Sequence, residues 1–177
     1  MVGEVVLRQV DEVSLEGLLT VAVEDAEPEE VMPPVAGPPG WTPLRREAFR
    51  AWHRARRPGL AGPLRESTFV IHHEGRIVGS ARLAVRGSLE VLETGMWLAR
   101  SRRGRGIGGA ALRVLLGEAA EAGARTVVAD TKTHNAAALA ALRGIGATLV
   151  PSGETDDVHA ELRSRTMPSP RPAAEHP

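Results

Sequence analysis

Apolar positions along this chain switch between a period of two and a period near 3.6, and each switch marks a predicted element. Val5–Val10 reads as a short first strand. Asp11–Val23 comes next as a helix, with Val13, Leu15, Leu18, Leu19 and Ala22 near helical spacing and Asp11 or Ser14 as its cap. Thr42-Pro43 is a strong helix start, with hydroxyl at the N-cap and proline at the first position, and the helix runs to about Arg57 before Pro58-Gly59. Thr68–His72, Ile77–Val85 and Leu89–Ala99 are β-rich runs separated by Glu74-Gly75-Arg76 and Gly87-Ser88, which predicts an antiparallel meander. A helix over Ile107–Ala122 closes at Gly123, and the apolar run in Arg125–Asp130 predicts a strand buried on both faces. A helix over Asn135–Arg143 ends at Gly144 and Gly146, and Ala147–Val150 and Val158–Leu162 read as closing strands.

Two segments break the pattern. Glu24–Pro43 carries six prolines and five acids, and no regular structure is expected there. Residues 164–177 are proline-rich and aperiodic, and a disordered tail is expected. The order of elements predicts one α+β domain over residues 1–163, with a central mixed, mostly antiparallel β-sheet flanked by about four helices. The connection from Leu89–Ala99 through the long helix to Arg125–Asp130 should be a right-handed parallel crossover.

Composition narrows the function. A chain of 177 residues buries a real core, and a formal net charge of zero argues against a general nucleic-acid binder. Cysteine is absent, which removes disulfides, thiolate metal sites and a cysteine nucleophile, and no metal is expected. No run approaches ~20 apolar residues and the N-terminus is not a secretory signal, so the expectation is a cytoplasmic protein with no membrane contact.

The chemistry concentrates where the third meander strand meets the long helix. Arg100–Gly106 is an arginine and glycine loop that opens the helix at Ile107. Glycines let a ligand approach the backbone, and a helix N-terminus offers unpaired N–H groups and a positive dipole, so the loop suits a pyrophosphate. A P-loop needs Gly-Lys-Ser/Thr, and the only lysine, Lys132, lies outside. Gly104-x-Gly106-x-x-Gly109 with Asp130 fits the dinucleotide fingerprint in spacing, yet Arg100–Arg103 separates it from the strand and too little chain remains for a second half. The third pattern in the loop is Arg103-x-x-Gly106-x-Gly108.

That loop resembles the acyl-coenzyme A signature of the GNAT superfamily of N-acetyltransferases. Gly75-Arg-Ile-Val-Gly79 resembles the family's hairpin between its second and third strands, and Asn135-x-x-Ala138-Leu139, closing at Gly146, resembles its later helix. The likeness spans Val5–Leu162. It implies an acetyl-CoA-dependent N-acetyltransferase in which the amides of Arg103, Gly104, Arg105, Gly106, Gly108 and Gly109 hold the pyrophosphate and Arg103 and Arg105 add charge. It implies that Met96, Trp97 and Leu98 pair their backbone with the pantetheine arm, that the Leu98 N–H meets the developing oxyanion, and that Asn135 touches the cofactor. Glu93 matches a glutamate that accepts the proton of the substrate amine, with Glu90 in reserve. Alternation puts Glu93, Gly95 and Trp97 on one face, Thr94, Met96 and Leu98 on the other. The family's tyrosine acid aligns with Leu142, and the chain has no tyrosine. Water, Ser101 or His134 is left to protonate the thiolate.

For the acceptor, two acidic groups suggest a small cationic amine: Glu24, Asp25, Glu27, Glu29 and Glu30, and Glu154, Asp156 and Asp157. Glu27, Glu30, Asp156 and Asp157, with Glu93, are the expected substrate anions. Trp41 and Trp97 are expected to wall a sugar-sized pocket, Phe49 and Trp52 to lie in the core, and Arg45–Arg57 to be amphipathic surface. The chain is similar to aminoglycoside N-acetyltransferases, including the kasugamycin-modifying branch, which implies antibiotic resistance. Protein N-terminal acetylation and a non-catalytic acyl-CoA sensor are the alternatives, and a homodimer is left open.

Overall fold

The computed structural model describes residues 1–163, and the expectation of a disordered tail lies outside them. In chain order the elements are β1 (Val5–Gln9), α1 (Glu12–Asp25), α2 (Pro28–Val31), α3 (Pro43–Arg54), β2 (Glu66–His73), β3 (Arg76–Arg86), β4 (Ser88–Leu98), α4 (Ile107–Glu121), β5 (Thr126–Lys132), α5 (Ala136–Gly144), β6 (Thr148–Pro151) and β7 (Asp157–Arg163). The seven strands form one sheet in the order β1-β2-β3-β4-β5-β7-β6. Every neighbouring pair is antiparallel except β4 and β5, so the sheet is mixed and mostly antiparallel.

Local chemistry explains the element ends. Asp11 caps α1 by accepting the Ser14 N–H at 2.7 Å, while the Ser14 hydroxyl accepts the Asp11 N–H at 2.9 Å, so both candidate caps act together. Thr42 caps α3 through the Arg45 N–H at 3.2 Å. Gly123, at φ +93°, turns the chain out of α4.

The proline-rich acidic segment is not fully irregular. Pro28 sits at the first position of a one-turn helix, and Glu30 reaches back to accept the Glu27 N–H at 2.8 Å. Proline lacks a donor that a first turn would leave unpaired anyway, so it favours this helix start. With α2, the described residues hold five α-helices rather than about four.

Two cores cover the two faces of the sheet. One joins α4 and α5 to β1–β5 and β7 through Ile71, Leu83, Leu92, Ile107, Leu115 and Leu142. The other joins α1, α2 and α3 to the sheet through Leu15, Leu18, Val31, Phe49 and Val70. The buried stripe of α3 is Arg45, Phe49 and His53, spaced by four. Arg45, expected on an amphipathic surface, is instead buried, and its guanidinium donates to the carbonyls of Val35 (3.0 Å), Pro38 (2.6 Å) and Gly40 (2.7 Å). Those bonds close the 33–40 loop, whose prolines leave it few backbone donors.

Gly79 fixes how β3 meets the end of β4. A Cβ there would collide with the Trp97 carbonyl and come within 3.0 Å of the Leu98 Cα, both backbone and unable to yield. Gly79→Ala is expected to lower stability by about 1–3 kcal/mol, read as a lower urea midpoint with unchanged m-value; an unchanged midpoint would show the two strands to be free to separate.

Candidate active site

The sheet opens at one place. β4 and β5 pair only over Val91–Thr126, Leu92–Val127 and Glu93–Val128, after which β4 leaves β5. β3 continues to pair β4 as far as Leu98, and β7 continues to pair β5 as far as Lys132. Each strand is therefore held straight by its outer neighbour while the inner ladder ends. The Arg125 N–H donates to the Glu90 carbonyl at 2.8 Å, and the Ala99 N–H donates to the Val78 carbonyl at 2.9 Å. Backbone groups alternate along a strand, so even-numbered residues of β4 face β5 and odd-numbered residues face β3. The N–H groups of Met96 and Leu98 thus point into the opening. The Leu98 carbonyl, on the same edge, accepts Arg103 Nε at 3.0 Å.

The opening runs into the arginine and glycine loop. A 3-10 turn at Arg100–Arg102 leads to Gly104 and Gly106, at φ +71° and +77°. Gly106 is the N-cap of α4 and supplies no side-chain cap; the first intrahelical bond is the Ala110 N–H to the Gly106 carbonyl at 3.1 Å. The N–H groups of Ile107, Gly108 and Gly109 have no partner within the helix, and no atom lies within 4 Å of where a Gly109 or Gly104 Cβ would stand. Asn135 caps α5 through the Ala138 N–H at 3.1 Å. It lines a cleft of about 470 Å³ with Arg103, Asp130, Lys132, His134 and Asp157.

The arginines of the loop are already engaged. Arg100 pairs with Glu27 (3.6 Å) and Glu30 (3.0 Å), and Arg103 pairs with Glu30 (3.2 Å). Ser101 donates its N–H and hydroxyl to Asp25 at 3.0 and 2.5 Å, which holds the Asp25 carboxyl below its ordinary range. The Glu27 N–H, and then Arg103, do the same for Glu30. Arg105 is exposed.

A second cleft, about 430 Å³, lies on the α1–α3 face of the sheet under α2. Glu30, Met32, Trp52, Arg82, Gly95 and Trp97 are among its walls. The two tryptophan expectations exchange places. Trp41 is tied into the core, its indole donating to the Ala26 carbonyl at 2.9 Å and its ring edge-on to Phe49 at 5.8 Å, and it does not line the cleft. Trp52 does line it, with the Arg56 guanidinium stacked 3.8 Å from its ring centre. One step round the helix from Phe49 and His53 turns Trp52 out of the core.

The acidic groups do not form one anionic cleft. Glu27 and Glu30 face arginines of the loop, and Asp157 binds Lys132 at 2.5 Å on the other cleft, where that ammonium lowers its pKa. Glu29 pairs with Arg45 at 3.5 Å, Asp156 gives its carbonyl to the Thr133 N–H at 2.8 Å, and Glu154 is exposed. The expectation of a polycation-attracting surface is corrected to this extent: Glu27, Glu29, Glu30 and Asp157, half of the eight carboxylates, are matched by cations within the chain.

A line of paired charges crosses the face that the second cleft opens on. Arg56 binds Glu66, Arg82 lies between Glu66 (3.7 Å) and Glu93 (2.6 Å), and Arg86 lies between Glu93 (3.0 Å) and Asp130 (3.6 Å). His159 Nδ1 ends the line on Asp130 at 2.8 Å. Both Glu93 oxygens are thus engaged. His159 escaped sequence reasoning because nothing in the chain says that β7, not β6, lies beside β5, and Arg82 and Arg86 because their partners are set by the register of β3 on β4. His134 and Ser101, the expected alternatives to tyrosine, sit on opposite sides of the opening: His134 on the first cleft, Ser101 bound to Asp25. Leu142, at the position of the tyrosine, is buried in the core beneath α4.

The sequence matches the Acetyltransferase (GNAT) family over residues 26–147. No curated protein matches it. Among solved structures, Mycobacterium smegmatis RimJ in complex with CoA-disulfide is 24% identical with a TM-score of 0.72, covering 92% of this chain and 83% of its own. YncA of Salmonella typhimurium, solved with its cofactor acetyl-CoA, is 20% identical with a TM-score of 0.62 over 94% of this chain and 97% of its own. RimL, a ribosomal L7/L12 alpha-N-protein acetyltransferase, is 18% identical with a TM-score of 0.65 over 90% and 93%. Among the described residues no helix is long and apolar enough to cross a membrane.

His53 borders the second cleft and is 1% exposed, with Nδ1 3.3 Å from the Thr68 hydroxyl. Burial, and then Arg56, lower its pKa to about 4. The unfolded chain therefore binds a proton near pH 6.5 that the folded chain refuses until about 4, so this residue's contribution is full above 6.5 and lost as pH falls through that window. Chemical denaturation from pH 7 to pH 4 should show up to about 3 kcal/mol of lost stability that His53→Phe removes; an equal loss in the variant would assign it to the carboxylates.

Proposed function

The chain belongs to the GNAT acetyltransferase family, it is an acyltransferase that uses acetyl-CoA, and from that footing we propose that it acetylates a primary amine of a small cationic acceptor held in the cleft under α2. One observation carries the reading: the opening between β4 and β5 joins the uncapped start of α4 to that cleft. The donor set suits acetyl-CoA. Uncapped amides at Ile107, Gly108 and Gly109, with the amides of Gly104, Arg105 and Gly106 in the loop, meet the needs of a pyrophosphate, whereas the Arg103 amide already donates to the Arg100 carbonyl at 3.2 Å. The free N–H and C=O groups of β4 suit an amide-bearing arm, and Asn135 has its Nδ2 donor left for the same ligand. Bound there, acetyl-CoA supplies an activated acyl group on a thiol leaving group.

The residues then divide the work. Met96 and Leu98 align the arm along the strand edge, whereas the backbone of Trp97 faces β3 and does not take the pairing that the resemblance implied for it. The Leu98 N–H, unpaired in the opening, is aimed where negative charge develops on the carbonyl oxygen. Glu93, fixed between Arg82 and Arg86, sets the charge beside the reacting carbon and orients the acceptor's ammonium. Arg103 holds Glu30 through one half-exposed pair and can exchange it for the diphosphate, whose two negative charges exceed the one of the carboxylate.

A cleft of about 430 Å³ suits an amino sugar or a short polyamine, which supports a small acceptor, an aminoglycoside of the kasugamycin type first. The likeness to RimJ and RimL favours a second reading, a protein N-terminus, for which the same cleft would take the first residues. Glu29 and Glu30 stand on its wall, each already facing an arginine that an acceptor's ammonium would have to share it with. Either activity is consistent with an internal location and a monomer or a homodimer.

Thiol release from acetyl-CoA should be followed with aminoglycosides, polyamines, amino acids and N-terminal peptides. Turnover with an aminoglycoside or polyamine supports the small-acceptor reading, and turnover with peptides alone overturns it. Gly106→Val, at a φ of +77° and with a Cβ that would press on Val2, should weaken acetyl-CoA binding at least tenfold by calorimetry. Unchanged affinity would move the pyrophosphate away from this loop.

A further inference from the structure

The pair Asp130–His159 belongs to none of the roles assigned above. Asp130 stands two positions after Val128, the last β5 residue paired with β4, so its side chain lies on the same face as Glu93 at the first position past the fork. His159 is its partner across the β5–β7 ladder, and the Nδ1–Oδ1 distance is 2.8 Å. The other Asp130 oxygen meets Arg86, which in turn holds Glu93. That face is the one on which Arg82, Gly95 and Trp97 open the acceptor cleft, while Asp130 itself lines the cleft on the donor side. Asp130 thus borders the donor-side cleft, and Arg86, Glu93 and Arg82 link it along that face to the wall of the other cleft.

The hydrogen bond decides the tautomer. A carboxylate at Nδ1 accepts its N–H, which leaves the lone pair on Nε2. Half-exposed and oriented by a third group, this imidazole has the arrangement of a general base. Glu93 is less suited, because both its oxygens already face guanidiniums. From this geometry we propose that His159, positioned by Asp130, is the base that removes the proton from the acceptor's ammonium. The proposal rests on the acetyltransferase reading above.

The step balances without another reagent. Nε2 takes one proton from the ammonium, and the freed lone pair forms the C–N bond to the acetyl carbon. As the C–S bond breaks, the second proton on nitrogen passes to the leaving sulfur. The products are the amide and the thiol, and the imidazolium returns its proton to water. The missing tyrosine is then no obstacle, because the proton that the sulfur needs comes from the attacking amine.

The charged groups around His159 are Asp130 and Lys132 on β5, Asp157 and Glu161 on its own strand, and Arg86 and Glu93 through Asp130; β6 presents Val150 opposite it. The test compares the full chain with His159→Gln, Asp130→Asn and Glu93→Gln, each first checked for folding by circular dichroism. Calorimetry with acetyl-CoA comes next, and absence of binding in the unaltered protein would refute the acetyltransferase reading itself rather than the role of His159. Thiol release is then measured from pH 5.5 to 9 with the best amine of the panel, and in parallel with water as the acceptor, which needs the same proton removal. His159→Gln should lower kcat at pH 7 about 100-fold, abolish the acid limb of the profile and leave acetyl-CoA affinity unchanged. Asp130→Asn should lower kcat about tenfold with KM for acetyl-CoA unchanged, a split that a merely structural role would not produce. Retention of rate and acid limb in His159→Gln, or their loss in Glu93→Gln alone, overturns the proposal.

Discussion

Two parallel strands that stop pairing in mid-sheet set the terms for everything else in this molecule. β4 and β5 share three register pairs and then separate, although each keeps its outer neighbour for several residues more. A strand edge inside a sheet carries N–H and C=O groups that need partners. Here the nearest protein group takes only the Leu98 carbonyl, through Arg103. A ligand with amide groups along its length completes the ladder better than any side chain can. The neighbouring elements preserve the gap: Gly79 lets β3 press close to the end of β4, and β7 keeps β5 straight to Lys132.

A net charge of zero conceals how specifically the charges are matched. The loop that starts α4 and the segment that ends α1 are joined by Arg100, Ser101 and Arg103 on one side and Asp25, Glu27 and Glu30 on the other. Each exposed pair is worth at most about 1 kcal/mol, so the pairs do not hold the fold together. They set the position of α2, a helix of four residues anchored otherwise by Val31 and Met32 in the second core. The wall of the cleft under α2 is thus tied to the loop that opens α4, and Glu30 belongs to both.

Most of the fold is legible in the sequence because its punctuation is chemical. Asp11, Thr42, Gly75, Gly87 and Gly123 mark ends and turns that side-chain or backbone geometry enforces. The family pattern points to the loop and the end of β4, and the opening between β4 and β5 lies beside them. The hidden part depends on pairing between distant segments. The α3 core stripe contains Arg45 and His53, so a hydrophobic period cannot find it, and aromatic spacing alone puts Trp52 inward and Trp41 outward, the reverse of their places. The one-turn helix at Pro28 is masked by prolines and acids that usually signal a loop. The insertion of β7 between β5 and β6 obeys no local rule, and it alone makes Asp130 and His159 neighbours.

The geometry also separates donor from acceptor by direction. A ligand that pairs with the free edge of β4 lies in the plane of the sheet, whereas the cleft under α2 opens on its face. Backbone groups serve the first and tolerate change in side chains; the second is read by side chains alone, among them Trp52, Arg82 and Trp97. Leu142 extends this division to the protons. It stands where the resemblance expects a tyrosine, but it packs among apolar side chains on the α4 side, a face whose buried hydroxyls are those of Ser67 and Thr94. The proposed proton route runs on the opposite face, the one that carries Glu93, Asp130 and His159, because the ionisable side chains beside the opening stand there.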